Sequence, residues 1–264
     1  MQKLLEIIAR LRHPDDGCAW DLQQTFSSIV PHTLEEVYEL VEAIESENLN
    51  AIKDELGDVL FQVLILSKIA EDDQKFALAD VVEHLSAKLI RRHPHVFTKQ
   101  KFSSAAEHQI FWEEIKRKER GQASFGSNAD QSILDGISTA LPALVRAPKL
   151  QRRAASLGFD WENIDSIFAK LDEEIAELRA ELGASDNKQR IEEEMGDVLL
   201  VCTNLARHLE VHSETALRKA NQRFETRFRY VESQLSQQGQ RVSDQALSTL
   251  QGLWEQAKQQ QKGL

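Results

Sequence analysis

The stretch DEEIAELRAELGASDNKQRIEEEMGDVLL, residues 172–200, decides how the chain folds. Residues three or four apart share one side of a helix. Glu174 and Glu177 therefore point together, as do Glu194 and Asp197. Two such helices packed antiparallel would bring four carboxylates to one place. The same pair of blocks stands earlier in the chain. EEVYEL at 35–40 answers EEIAEL at 173–178, and ELGDVL at 55–60 answers EMGDVL at 194–199. The offsets are 138 and 139 residues, so order and separation are kept with one residue inserted. Glu36 with Glu39, and Glu55 with Asp58, repeat the pairing. One block alone would mean little where about one residue in six is acidic. The paired repeat has Gly57 and Gly196 in register and an apolar run after each Asp. It reads as an internal duplication.

Outward from these blocks the pattern stays helical. Apolar and polar residues alternate at helical spacing over 2–12, followed by a turn at Asp15-Asp16-Gly17. Thr33 is predicted as an N-cap with Glu36 as its capping-box partner. The helix it starts carries Leu34, Val37, Tyr38, Val41 and Ile44 on one stripe. Further helices are predicted at 50–72, 78–92 and 104–119, then at 138–156, 163–182, 187–210, 213–237 and 243–261. Residues 117–133, KRKERGQASFGSNADQS, turn from charged to Gly/Ser/Asn-rich. The expected fold is all-α, with two tandem helical bundles at 1–120 and 134–264 and a linker at 121–133. Trp20, Trp112 and Trp161 are expected as core or helix-contact anchors, and Cys18 and Cys202 as small buried side chains.

Composition agrees. The 11 Gly and 5 Pro make up about 6% of 264 residues, half the usual share. Sheet proteins consume both residues in turns, so an all-β fold is disfavoured. Hydrophobic residues are 41% and charged residues 28%, which excludes global disorder. The net charge of −11 argues against a nucleic-acid polymer as partner. Two distant cysteines make no disulfide scaffold. Residues 1–17 lack the apolar core of a signal peptide. The richest apolar stretch, VLFQVLILSKIA at 59–70, is interrupted by Gln62 and Lys68 and is too short to span a bilayer. No membrane partner and a cytoplasmic location are expected.

Clustered carboxylates repel one another and either protonate or take a cation. All-oxygen ligation suits Mg²⁺ or Mn²⁺. Zinc would want His or Cys in the blocks, and a di-iron bundle would want Glu-x-x-His; the chain has neither. His93-Pro94-His95 does not make a metal site at that spacing. The alternative is that these glutamates form solvated helix faces. Against it, each block sets its acids beside an apolar run, Val59-Leu60-Phe61 and Val198-Leu199-Leu200, that is expected to be buried.

EExxE followed by ExxD resembles the all-α nucleoside triphosphate pyrophosphohydrolases of the MazG family. The likeness extends through GCAWD (17–21), TLEEVYE (33–39), ELGDVLFQV (55–63), RRHPHVF (91–97), GFDW (158–161), EEEMGDVL (192–199), NLARH (204–208) and KANQRFETRF (219–228). Ala19 stands where the family usually has Pro, a difference of loop stiffness. The resemblance implies a homodimeric Mg²⁺ enzyme, with Mn²⁺ a substitute, that splits NTPs and dNTPs into NMP and pyrophosphate. It implies metal binding by Glu174, Glu177, Glu194 and Asp197, and in the first half by Glu36, Glu39, Glu55 and Asp58. Glu35 and Glu173 are left to orient or deprotonate the attacking water. A broad base range and a role in nucleotide-pool housekeeping or stress nucleotide control go with this reading.

One physical feature separates the halves. Lys170 precedes Glu174 by four residues, and Arg190 precedes Glu194 by four, where the first half has His32 and Ala51. Lys219, Arg223 and Arg227 add a cationic stripe suited to the β- and γ-phosphates. The first half offers Arg91, Arg92, His93 and His95 at a helix end instead. The second half is therefore expected to be the main catalytic site. Trp254 or Phe224 is expected to stack on the base, the resemblance favouring Trp254. Asn204 and Asn221 read equally as sugar or phosphate contacts and as capping residues. The competing reading is a non-catalytic helical module that binds nucleotides or a protein and uses the acid clusters as metal-stabilised struts. A strut would not need the phosphate-facing cations.

Overall fold

The computed structural model describes residues 1–98, 102, 104, 111, 115, 132–183 and 187–262. Among them every regular element is helical. The chain divides into two compact units, Met1–Phe125 and Gly126–Leu264. The helix expected over 104–119 and the linker at 121–133 fall largely outside the described residues, and Trp112 wholly so.

The first unit contains α1 (Gln2–Leu11), α2 (Ala19–Gln23), α3 (Phe26–Glu45), α4 (Leu49–Asp72), α5 (Leu78–Arg92) and α6 (Pro94–Phe97). Only residues 46–48 join α3 to α4, so the two run antiparallel and pack along their length. Their seam is Ile29, Ile65 and Ile69, with Phe26, Phe61 and Leu66 against it. Fully burying one such side chain contributes about 1.5–3 kcal/mol. The second unit contains α7 (Ala143–Ala155), α8 (Ile164–Glu181), α9 (Lys188–His208), α10 (Ser213–Gln237), a 3₁₀ turn at Val242–Asp244 and α11 (Leu247–Lys262). Helices α8 and α9 form the matching pair, and α10 packs on α11. Ile167, Val231, Leu235 and Ala257 are buried.

Helix α3 starts earlier than its sequence predicts. Thr25 is the N-cap, and its hydroxyl and that of Ser28 exchange bonds with each other's backbone N–H. Thr33 lies inside the helix and donates to the Ile29 carbonyl at 3.1 Å. Pro31, inside the helix, hid this start, because a proline ordinarily marks a helix's first turn or its end. The first and last helices of the second unit also shift. Pro142 caps α7, so that helix begins at Ala143, and the predicted helix from 243 opens as the short 3₁₀ turn before α11.

The scarcity of glycine has a structural counterpart. Helices α3, α4 and α9 end on Glu47, Gln74 and Glu210 with φ of 55°, 57° and 56°. In each, the next N–H reaches back to the third carbonyl from the helix end: Asn48 to Ala43, Lys75 to Ala70 and Val211 to Ala206. Non-glycine residues take the left-handed position that glycine ordinarily fills.

Several expected core residues are open within this chain. Leu60, Leu199 and Leu200, expected to be buried after the acid blocks, are exposed; on the α3 stripe Leu34, Val37, Tyr38 and Ile44 are exposed as well. The stripe faces away from the α3–α4 seam, whose α3 side is Ile29 and Ala43. Trp20 is exposed at its helix contact, its ring edge-on to His32 at 5.5 Å, and Trp161 is also exposed. Cys18 and Cys202 are both exposed, against expectation: Cys18 is the N-cap of α2, and Cys202 lies on an open face within α9. Ala19 is the first residue of α2, where a helix has no partner for the N–H, so the usual Pro would fit there without loss.

Candidate active site

Each unit brings carboxylates from its two antiparallel helices together. Glu36, Glu55 and Asp58 offer oxygens that all lie within 4.8 Å of one another, and so do Glu174, Glu194 and Asp197. Glu39 and Glu177, on the same helices, are exposed beside these triads rather than within them. Glu36 titrates above the ordinary carboxylate range, first through burial and then through Asp58, Glu39 and Glu55 facing it. Glu55 is raised by burial, Glu39 and Asp58. Glu177 is raised by burial and Glu174, with Lys170 opposing. Every donor is an oxygen, the chemistry a hard divalent cation requires. Glu55 Oε2 is buried with no hydrogen-bond partner, as a group awaiting a positive charge would be.

The cations beside the clusters differ between the units. Lys170 Nζ lies 2.7 Å from Glu173 and 2.9 Å from Glu174. Its ammonium is held well above its ordinary pKa by those two carboxylates. Arg190 lies 3.4 Å from Glu181 and 3.7 Å from Glu194. In the first unit His32 faces Glu35 at 3.9 Å, and Glu36 takes only an amide hydrogen bond, from Gln62 Nε2 at 3.4 Å. The predicted cations thus stand beside the second cluster, but within this chain the acids themselves hold them.

The stripe is split. Lys219 and Arg223 are exposed, whereas Arg227 donates to Gln261 at 2.8 Å and stands over the Trp254 ring at 5.9 Å. Trp254 is half-buried and packs on Phe224 at 5.2 Å. Arg227 and Trp254 therefore form one joint between α10 and α11 instead of two separate contacts. Asn204 is buried and accepts from Arg207 at 2.7 Å, which gives it a structural role; Asn221 is exposed.

Sequence reasoning missed the parts that steady the acid helices. In the second unit Arg207 Nη1 reaches Asp160 at 3.0 Å, and His208 Nε2 lies 3.0 Å from the same carboxylate. Burial raises the Asp160 pKa, but these hydrogen bonds prevail and hold it at about 2. They tie the GFDW loop before α8 to the last turn of α9. In the first unit Arg12, 8% exposed, bonds Asp72 at 2.8 Å, and it also reaches the Asp21 and Gln24 carbonyls. Lys68 adds a bond to Asp72 at 3.0 Å. Both loops are thus clamped by a shielded guanidinium. The motifs GFDW and NLARH carried that signal, since each places a charged residue among apolar ones. Arg12 carried none, because it sits outside the repeated blocks.

Comparison with known proteins matches this architecture. The profile of the MazG nucleotide pyrophosphohydrolase domain matches twice, over residues 24–97 and 162–231. The nucleoside triphosphate pyrophosphohydrolase of Escherichia coli (strain K12) is 43% identical over 262 residues, covering 99% of this chain and 98% of that protein. The nucleoside triphosphate pyrophosphohydrolase/pyrophosphatase MazG of Thermotoga maritima is 39% identical over 257 residues, covering 97% and 95%. The uncharacterized protein YabN of Bacillus subtilis is 38% identical over 256 residues, which is 51% of its length. With both acid clusters inside the matched segments and near full-length identity of this order, the chain belongs to the MazG nucleotide pyrophosphohydrolase family.

Proposed function

We propose that this chain is a nucleoside triphosphate pyrophosphohydrolase that splits NTPs and dNTPs of broad base range into nucleoside monophosphate and pyrophosphate. The observation that carries the reading is the convergence of Glu174, Glu194 and Asp197 from α8 and α9 with Lys170 and Arg190 beside them. The relatives in Escherichia coli and Thermotoga maritima bear the name of that activity. Glu174, Glu177, Glu194 and Asp197 would hold Mg²⁺, or Mn²⁺ in its place. Bound there, the cation neutralises triphosphate charge and polarises the phosphoryl oxygens.

The rest falls to the chain's own groups. Lys170 and Arg190 turn from the carboxylates to phosphate oxygens as the substrate arrives. Glu173, exposed and paired with Lys170, orients the attacking water and accepts its proton. Lys219, Arg223 and Arg227 receive the β- and γ-phosphates, and Trp254 stacks on the base, already backed by Phe224. Catalysis is then mostly positioning and charge neutralisation. The open apolar faces of α3 and α4 support a homodimer, since contiguous exposed apolar patches mark interfaces. Among the described residues no helix is long and apolar enough to cross a membrane, which agrees with work on a cytoplasmic nucleotide pool.

The test is product analysis. A mixture of NTPs and dNTPs is incubated with the protein, with Mg²⁺ or with chelator, and resolved by anion exchange. NMP plus pyrophosphate, formed only with Mg²⁺, is the expected result. NDP plus phosphate would overturn the cleavage position, and no turnover would favour a binding module.

A further inference from the structure

Gln62 stands in the first acid cluster, and the repeat does not reproduce it. With the offset of 139 residues its counterpart is Val201. It lies one turn beyond Asp58 on α4, on the same face. It is only 4% exposed. Its Nε2 donates to Glu36 at 3.4 Å, which places the amide against the acids, and its Oε1 is buried with no partner. Leaving a buried acceptor unpaired is unfavourable, because it loses its water without gaining a donor. Glu55 Oε2 in the same cluster is unpaired too. Two orphaned acceptors at one acidic site ask for a positive charge. The amide torsion is soft and roughly two-fold, so a half-turn exchanges nitrogen for oxygen without moving the side chain's stem.

We propose that Gln62 is a neutral oxygen ligand of a divalent cation held by Glu36, Glu55 and Asp58, its amide turning over as the cation enters. The proposal rests on the metal-binding reading of the acid clusters given above. A neutral ligand completes the coordination without adding a further negative charge. The second cluster instead balances its acids with Lys170 and Arg190. The first site therefore retains a cation without nucleotide, while the second binds its cation best together with an anionic substrate.

The test uses the full-length protein with Glu174→Gln and Asp197→Asn, which silence the second cluster, and Mn²⁺ alone, titrated by calorimetry and by the electron paramagnetic resonance of free Mn²⁺. Gln62→Leu should weaken binding about tenfold, the scale of an altered metal-site partner, while Gln62→Glu should retain it. Thermal unfolding by circular dichroism checks the fold of each variant, and the near-isosteric Gln62→Met replaces Gln62→Leu if that variant unfolds. Unchanged affinity in a folded Gln62→Leu or Gln62→Met variant would overturn the proposal. If Glu55→Gln with Asp58→Asn abolishes binding while the Gln62 variants do not, only the Gln62 assignment fails. If the parent binds no Mn²⁺ at all, the metal reading of the first cluster fails with it.

Discussion

In the first unit Glu36 takes its hydrogen bond from an amide; in the second unit its counterpart Glu174 takes one from an ammonium. The acid triads around them are alike to within the same 4.8 Å. Duplication has thus kept the oxygens and changed their neighbours. The amide leaves the first cluster without a compensating cation, and burial, reinforced by the surrounding carboxylates, raises both Glu36 and Glu55. The ammonium, 2.9 Å from Glu174, compensates that carboxylate instead. On the reading proposed above, one pattern yields two sites of opposite bias, the first toward metal alone and the second toward metal with an anionic ligand.

The sharpest way to break this comparison is to remove one acid from each site. Glu174→Gln should lower NTP turnover about 10²- to 10³-fold, the scale of a single charge-stabilising group in an active site. Glu36→Gln should leave turnover within about twofold on that same scale. The reverse pattern in steady-state assays would move the chemistry to the first unit.

Next in size is the clamp. The Asp160 pKa of about 2 lies below its ordinary value, so its contribution is full above pH ~4 and is lost as pH falls through 2. Asp160→Asn should cost the second unit about 2 kcal/mol at pH 7 and flatten its stability between pH 4 and 2. Denaturant titration across that range measures both. Asp72 is likewise lowered, burial being outweighed by Arg12 and Lys68, so Asp72→Asn should give the same sign in the first unit.

Lys170→Met tests the charge argument directly. It removes the one neighbour that lowers the Glu177 pKa, so Glu177 should titrate higher still. At pH 7.5 and without nucleotide, Mn²⁺ affinity of the second cluster should rise severalfold, worth about 1 kcal/mol, because a competing cation is gone. Turnover should fall in the same variant. Protons and metal compete for the raised carboxylates, so the thermal stabilisation by Mn²⁺ should grow from pH 5 to pH 7.5. Weaker Mn²⁺ binding in Lys170→Met would refute the argument.

The smallest effect concerns the helical glycines. A Cβ on Gly57 or Gly196 would meet nothing within 4 Å. Either residue changed to Ala should stabilise its unit by about 0.5–1 kcal/mol through helix propensity. If the open space beside Asp197 receives substrate, Gly196→Ala gains stability and loses turnover, while Gly57→Ala only gains stability. Equal turnover in both would remove that distinction.

The helices, the duplication and the converging acids were legible because spacing along a helix is a geometric rule. Residues three or four apart must share a face whatever surrounds them. Three things were not legible, each for a physical reason. The start of α3 was hidden because Pro31 imitates a boundary that the Thr25–Ser28 capping box overrides. The exposure of Leu34, Val37 and Tyr38 was not legible, because periodicity identifies an apolar stripe and not what covers it. Arg12 and Gln62 were passed over because each acts across the fold, through contacts 60 and 26 residues away in sequence.

The two thiols gain a use from their exposure. Cys18 lies in the first unit and Cys202 in the second, and the chain has no others. Each unit thus carries its own attachment point for a fluorophore or a fluorinated tag. Replacing one cysteine by serine leaves a reporter on the other unit alone. Metal and nucleotide responses of the two halves then become separately visible signals in a single polypeptide.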